Sequence, residues 1–101
     1  MVKLIVVYPR PADPAAFDAH YFTHHASLTR KLPGLERAEF CKLKAGPENS
    51  NPHYVLAEMH FKDKDALKAA MKSPEMAACV QDVEQNLKTA ISVYISEEVQ
   101  N

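Results

Sequence analysis

The sequence predicts an α+β fold, one antiparallel four-stranded sheet with helices on a single face. Three observations lead there: four segments rich in β-branched and apolar residues, helical segments after the first and the third of them, and proline, glycine or aspartate at most joints. The resulting order, β-α-β-β-α-β, is the ferredoxin-like split βαβ arrangement. The 101 residues, 47% apolar and 25% charged, suffice for one compact domain over residues 1–101 and leave no room for a second. A chain this short buries only roughly two thirds of its unfolded surface, so a one-layer sheet leaves an apolar face wet. Self-association is therefore expected.

Residues 2 to 8, VKLIVVY, are apolar with little alternation and read as a strand covered on both faces, ended by Pro9 and Pro11. Asp13 and Pro14 supply an N-cap and a first-turn proline, and a helical pattern runs to about Leu32, where Pro33-Gly34 stops it. A 3.6-residue period places Phe17, Tyr21, His24 and Leu28 in one stripe, with His25 and Leu32 on one flank and His20 on the other. Glu36 to Lys44 reads as a charged strand, and Ala45 to Pro52, AGPENSNP, as a mobile loop. His53 to Phe61 alternates, so Val55, Ala57, Met59 and Phe61 share one face while Tyr54, Leu56, Glu58 and His60 share the other. Asp63 caps a short helix through Met71, and Ser73-Pro74-Glu75 starts another that carries Met76, Val80, Val83 and Leu87. Ala90 to Ile95 is the closing strand.

Several function classes drop out on composition. Twelve Lys and Arg against thirteen Asp and Glu, a net charge of -1, give no basic excess for nucleic acid or for an anionic membrane surface. The apolar run at the N-terminus is interrupted by Lys3 and is too short for a spanning helix or a signal core, so a cytoplasmic location is expected. Cys41 and Cys79 form no CxxC pattern and read as reduced and structural. With two glycines there is no phosphate loop, and no cofactor is expected. His20 and His24, four apart on one helix, could chelate zinc or copper if a third ligand approached. No HExxH, cysteine pair or carboxylate motif accompanies them, so no metal site is expected.

Among single residues, Glu58 is a carboxylate within an otherwise apolar strand, where an ionised group needs a partner. It is either the partner of a histidine or paired with Arg37 or Lys42 on a neighbouring strand. The helical wheel alone selects His24 as the inward histidine. His53 and His60 lie near strand ends and read as surface or dimer-rim residues, and Met59, Met71 and Met76 with Phe17, Phe40 and Phe61 as core filling.

Tyr8 to Phe17 (YPRPADPAAF), Tyr21, His25-Ala26-Ser27-Leu28 and Lys31-Leu32-Pro33-Gly34-Leu35 line up with a known pattern. Ala57-Glu58, Phe61, Ser73-Pro74-Glu75 and Asp82 continue it. Over nearly its whole length the chain resembles the EthD family of the dimeric α+β barrel superfamily. That resemblance implies a ferredoxin-like protomer pairing through its sheet into a homodimeric α+β barrel, with a small cavity between the sheet and the first helix. The family takes its name from a protein encoded beside a cytochrome P450 system for degrading ethyl tert-butyl ether. Related barrels include polyketide cyclases, decarboxylases, an isomerase, cofactor-free monooxygenases and haem proteins, so the fold alone gives no activity.

The family motif of histidine, any residue, proline and leucine stands here as His25, Ala26, Ser27 and Leu28, and the serine implies a relaxed kink with the histidine retained. His25 inherits the family position in competition with His24. The expected site is His25 with Glu58 as catalytic residues, and Tyr8, Tyr21, His24, Tyr54 and Tyr94 around a small hydrophobic or aromatic ligand. A one-residue slip would exchange Tyr54, Leu56 and Glu58 for Val55, Ala57 and Met59 at the pocket. The expected activity is cofactor-independent proton transfer of isomerase, cyclase or decarboxylase type in a catabolic pathway. The alternatives are a non-catalytic accessory dimer and a haem protein with a helix-one histidine as axial ligand.

Overall fold

In the computed structural model residues 1–44 and 52–99 are described, so the expected loop at Ala45 to Pro52 lies, apart from Pro52, outside the described residues. Strand β1 (Val2–Pro9) is followed by α1 (Pro14–His20), a π-helical turn (Tyr21–His25) and α2 (Ala26–Thr29), three parts of one continuous helix. Then come β2 (Leu35–Lys42), β3 (His53–Phe61), α3 (Lys64–Met71), α4 (Pro74–Asp82), a second π-helical turn (Val83–Leu87) and β4 (Ser92–Glu97). All pairings are antiparallel, in the spatial order β2-β3-β1-β4. This is the ferredoxin-like α+β fold. Among the described residues no helix is long and apolar enough to cross a membrane.

Local chemistry accounts for the helix starts. The carboxylate of Asp13 accepts from the Ala16 amide, that of Asp63 from the Ala66 amide, and the Ser73 hydroxyl from the Met76 amide. Each cap satisfies one amide that the first helical turn leaves without a partner. Regular helix ends at Thr29, short of Leu32, and winds down through i→i−3 bonds from Lys31 and Leu32 to the Leu28 and Thr29 carbonyls. Gly34, at φ +74°, then turns the chain into β2 in a backbone region that side-chain-bearing residues avoid.

The first long helix departs from the expected period. The ladder widens at the Tyr21–His25 turn, where the Ala26 amide reaches back to the Tyr21 carbonyl and each residue advances by less than the usual 100°. Within this stretch the Thr23 hydroxyl also donates to the Ala19 carbonyl at 2.6 Å. Phe17, Tyr21, His25 and Thr29, spaced by four, become the buried stripe, and His24 rotates outward. The wheel's preference for His24 is thereby overturned. The relaxed kink implied by Ser27 concerns residues downstream of this turn; the helix is irregular at Tyr21–His25 and regular again from Ala26 to Thr29.

The sheet alternates cleanly in β1: Val2, Leu4, Val6 and Tyr8 are buried under the helices, while Lys3, Ile5 and Val7 are half-buried on the other face. Full cover of both faces, as the sequence suggested, is absent from the single chain. In β3 the alternation breaks once. Pro9 pairs with His53 and Tyr8 with Val55, so a bulge carries Tyr54 to the same face as Val55. Tyr54 packs on Phe17, ring centroids 5.6 Å apart, and not beside Leu56 and Glu58 as the alternation predicted. Strand β4 starts at Ser92 instead of Ala90, because Lys88, left-handed at φ 50°, ends the second π turn and the chain meets β1 only at the Val7–Ser92 pair. Tyr21, Val55 and Phe61 are the largest wholly buried side chains of the core.

Candidate functional site

A cavity of about 410 Å³ lies between the sheet and the helices. Its floor is Leu4, Val6, Ala57 and Met59, and its far wall includes Cys79 and Val83. On the near wall Tyr8, Tyr21 and His25 bring polar groups to a largely apolar lining, to which Thr29, Glu84 and Thr89 also contribute.

His25 is 4% exposed and held at both nitrogens. Nδ1 lies 2.8 Å from Asp82 Oδ2, and Nε2 lies 3.2 Å from the Tyr8 hydroxyl. An ionised carboxylate can only accept, so Nδ1 carries the proton and the Nε2 lone pair accepts from Tyr8. Tyr21 stacks on the imidazole, centroids 5.2 Å apart and planes 18° from parallel. The wholly buried Tyr21 hydroxyl sits close enough to Tyr8 to affect its acidity, yet no partner completes a hydrogen bond with it.

Electrostatics sharpen this arrangement. Burial pushes the His25 imidazole below its usual range and outweighs the opposing pull of Asp82, which favours the neutral ring. Burial alone would raise Asp82, but hydrogen bonds from Asn86, His25 and His20 prevail and hold it below the usual carboxylate range. Burial drives both Tyr8 and Tyr21 far upward, so they are neutral donors, and it raises the Cys79 thiol as well. A neutral base backed by a carboxylate and capped by a phenol can take up a proton and return it.

The predicted residues divide between two faces of the sheet. His25, Tyr8 and Tyr21 meet at the cavity wall. Glu58 does not join them: opposite Ile5 on the outer face, it forms an ion pair with Lys3 at 3.0 Å. Period two separates it from its neighbours Ala57 and Met59, which do reach the cavity. Arg37 and Lys42, the alternative partners for Glu58, pair instead with Glu39 and Asp18. Tyr54 faces the helices but donates to Asp18 at 2.8 Å, away from the cavity lining. Tyr94 is 58% exposed opposite Ile5, and the His24 side chain is 56% exposed outside the lining.

The carboxylate beside His25 is Asp82, to which the residue pattern assigned no role. One local signal was available: Cys79, Asp82 and Val83 stand at i, i+3 and i+4 of one helix, and all three are buried. An acid on an apolar helical stripe needs a partner there.

Residues 9–87 match the family model of the EthD domain. A Rhodococcus erythropolis protein described as an uncharacterized 11.0 kDa protein in the thcB-thcC intergenic region is 32% identical over 98 residues, covering 97% of this chain and 95% of that one. An ethyl tert-butyl ether D (EthD) family protein from Bacillus halodurans superposes with a TM-score of 0.88 at 37% identity, covering 98% of this chain and 99% of that one. A mutant of SnoaB, a cofactor-independent oxygenase from Streptomyces nogalater, shares the fold alone, with a TM-score of 0.69 at 17% identity over 99% of this chain and 94% of that one. With the family model spanning most of the chain and a relative above 30% identity along nearly all of it, the protein belongs to the EthD family.

Proposed function

We propose that this protein binds a small hydrophobic or aromatic metabolite in its cavity and moves a proton on it without a cofactor, in a cytoplasmic catabolic pathway. One observation carries the reading: a neutral histidine, set between a buried carboxylate and a phenol, on the wall of an apolar cavity of about 410 Å³. That volume falls within the usual range for small-ligand pockets. A bound ligand with an acidic C–H or O–H gives its proton to Nε2 directly or through Tyr8. Asp82 stabilises the imidazolium that forms, and the same proton returns to another atom of the ligand. Isomerisation, cyclisation and decarboxylation are the reaction classes this supports.

The functional unit is a homodimer. The half-buried Ile5, Val7 and Leu56 with the exposed Tyr94 make an outer sheet face that a second copy covers. A second reading, a non-catalytic accessory dimer beside a degradation system such as that for ethyl tert-butyl ether, is favoured by the full satisfaction of His25 by its own neighbours.

A thermal-shift screen of wild type and His25→Gln against small phenols, aromatic acids, lactones and ethers separates the two. Under the first reading one chemical class raises the wild-type melting temperature and the variant loses the response. If no class shifts the wild type and the two proteins differ only in stability, the accessory reading replaces it.

A further inference from the structure

We propose a second site, a divalent transition-metal centre formed by His20, His24 and Asp82 outside the cavity. The sequence already offered two histidines four apart on one helix and lacked a third ligand. The fold supplies it, because α4 brings Asp82 against the π-helical turn from 62 positions beyond His20. Nε2 of His20 lies 2.8 Å from Asp82 Oδ1, and Nε2 of His24 lies 3.8 Å from the same oxygen. All three donor atoms fall within 4.8 Å of one another.

A metal about 2.0–2.1 Å from each donor needs donor separations near roughly 3.4 Å, which small rotations of two partly exposed imidazoles provide. The ligand that cannot swing is the one already fixed: the Asp82 side chain is 3% exposed and receives Asn86 on Oδ1 at 2.7 Å and His25 on Oδ2 at 2.8 Å. Those bonds are the supporting contacts by which metal sites orient a carboxylate ligand. The present hydrogen bonds explain the position of His20 but not that of His24, whose nitrogen points at the same oxygen from beyond hydrogen-bond range.

Two imidazoles and one carboxylate select Zn²⁺ or another borderline first-row cation over Ca²⁺ and Mg²⁺, which take oxygen ligands. The His24 side chain is 56% exposed, so coordination positions remain open to solvent. Another cluster with metal-ligand donors, Glu39, Glu58 and His60, lies on the outer sheet face, but its acids are already paired with Arg37 and Lys3. It serves as the internal control.

The test uses tag-free protein treated with a chelator, titrated with Zn²⁺ by calorimetry and with Co²⁺ by visible absorption. One Zn²⁺ binds per chain, Co²⁺ develops ligand-field bands, and His20→Gln and His24→Gln each weaken binding by about 10- to 100-fold. Each variant leaves the cavity lining intact and Asp82 still bonded to Asn86 and His25, so folding by circular dichroism is retained, and His60→Gln binds as wild type does. Binding no tighter than about 100 μM, binding indifferent to both helix histidines, or binding lost in His60→Gln overturns the proposal.

Discussion

The helical layer and the outer face of the sheet each hold a histidine beside a carboxylate, and burial separates their consequences. In the helical layer, the side chains of His25 and Asp82 are 6% and 3% exposed, and the acid receives three further polar neighbours. On the outer face His60 bonds Glu39 at 3.0 Å with side chains 14% and 37% exposed, and Glu58 meets Lys3 with 22% and 38%. Similar chemistry therefore means different things. Removing one member of the inner pair strands a polar group away from water, whereas an outer partner turns to solvent.

The largest expected effect tests this directly. Asp82→Ala leaves the His25 Nδ1–H, the Asn86 amide and His20 without their acceptor and should destabilise the fold by about 3 kcal/mol in urea titrations. A loss below about 1 kcal/mol breaks the contrast between the helical layer and the outer face. Tyr8→Phe removes one buried hydrogen bond, with an expected loss near 1 kcal/mol in the same assay and a weakened response to whichever ligand class shifts the wild type. Glu58→Gln should change monomer stability by no more than about 0.5 kcal/mol at moderate salt. A larger, concentration-dependent change would sharpen the comparison by locating the interface between copies on that face. Tyr21→Phe is the smallest and has the opposite sign: deleting an unpartnered buried hydroxyl leaves stability unchanged or slightly raised. A clear loss would mean that the hydroxyl has a partner in solution.

Much of the architecture was legible because its signals are local. Asp13-Pro14, Pro33-Gly34 and Ser73-Pro74 mark boundaries through capping and backbone preference, and Val55, Ala57, Met59 and Phe61 of β3, which face the helices, follow from alternation. The site was legible only in part. His25 and Tyr8 came from the family pattern, while periodicity alone chose His24, since a 3.6-residue wheel has no means of registering the wider turn at Tyr21–His25. The pairing of His25 with Asp82 spans 57 positions and two elements, and Glu58 looked the better acid only because its strand is so apolar. Tyr54 was placed on the wrong face because strict alternation does not register the bulge opposite Pro9, which shifts one residue of β3.

The π-helical turn at Tyr21–His25 also has a genetic reading. A turn that holds one residue more than its α-helical equivalent behaves as a single-codon insertion absorbed within a helix. Deleting the codon for Phe22 or Thr23 would let the ladder close regularly and leave His25 three residues after Tyr21 and seven after Phe17, still on the stripe. Such a deletion is less damaging to the cavity wall than loss of a residue elsewhere in the helix, because it removes the extra residue that the wider turn already holds. Lineages could therefore gain or lose this turn while keeping an imidazole in place, and alignments across it should be anchored on three-dimensional position instead of residue count.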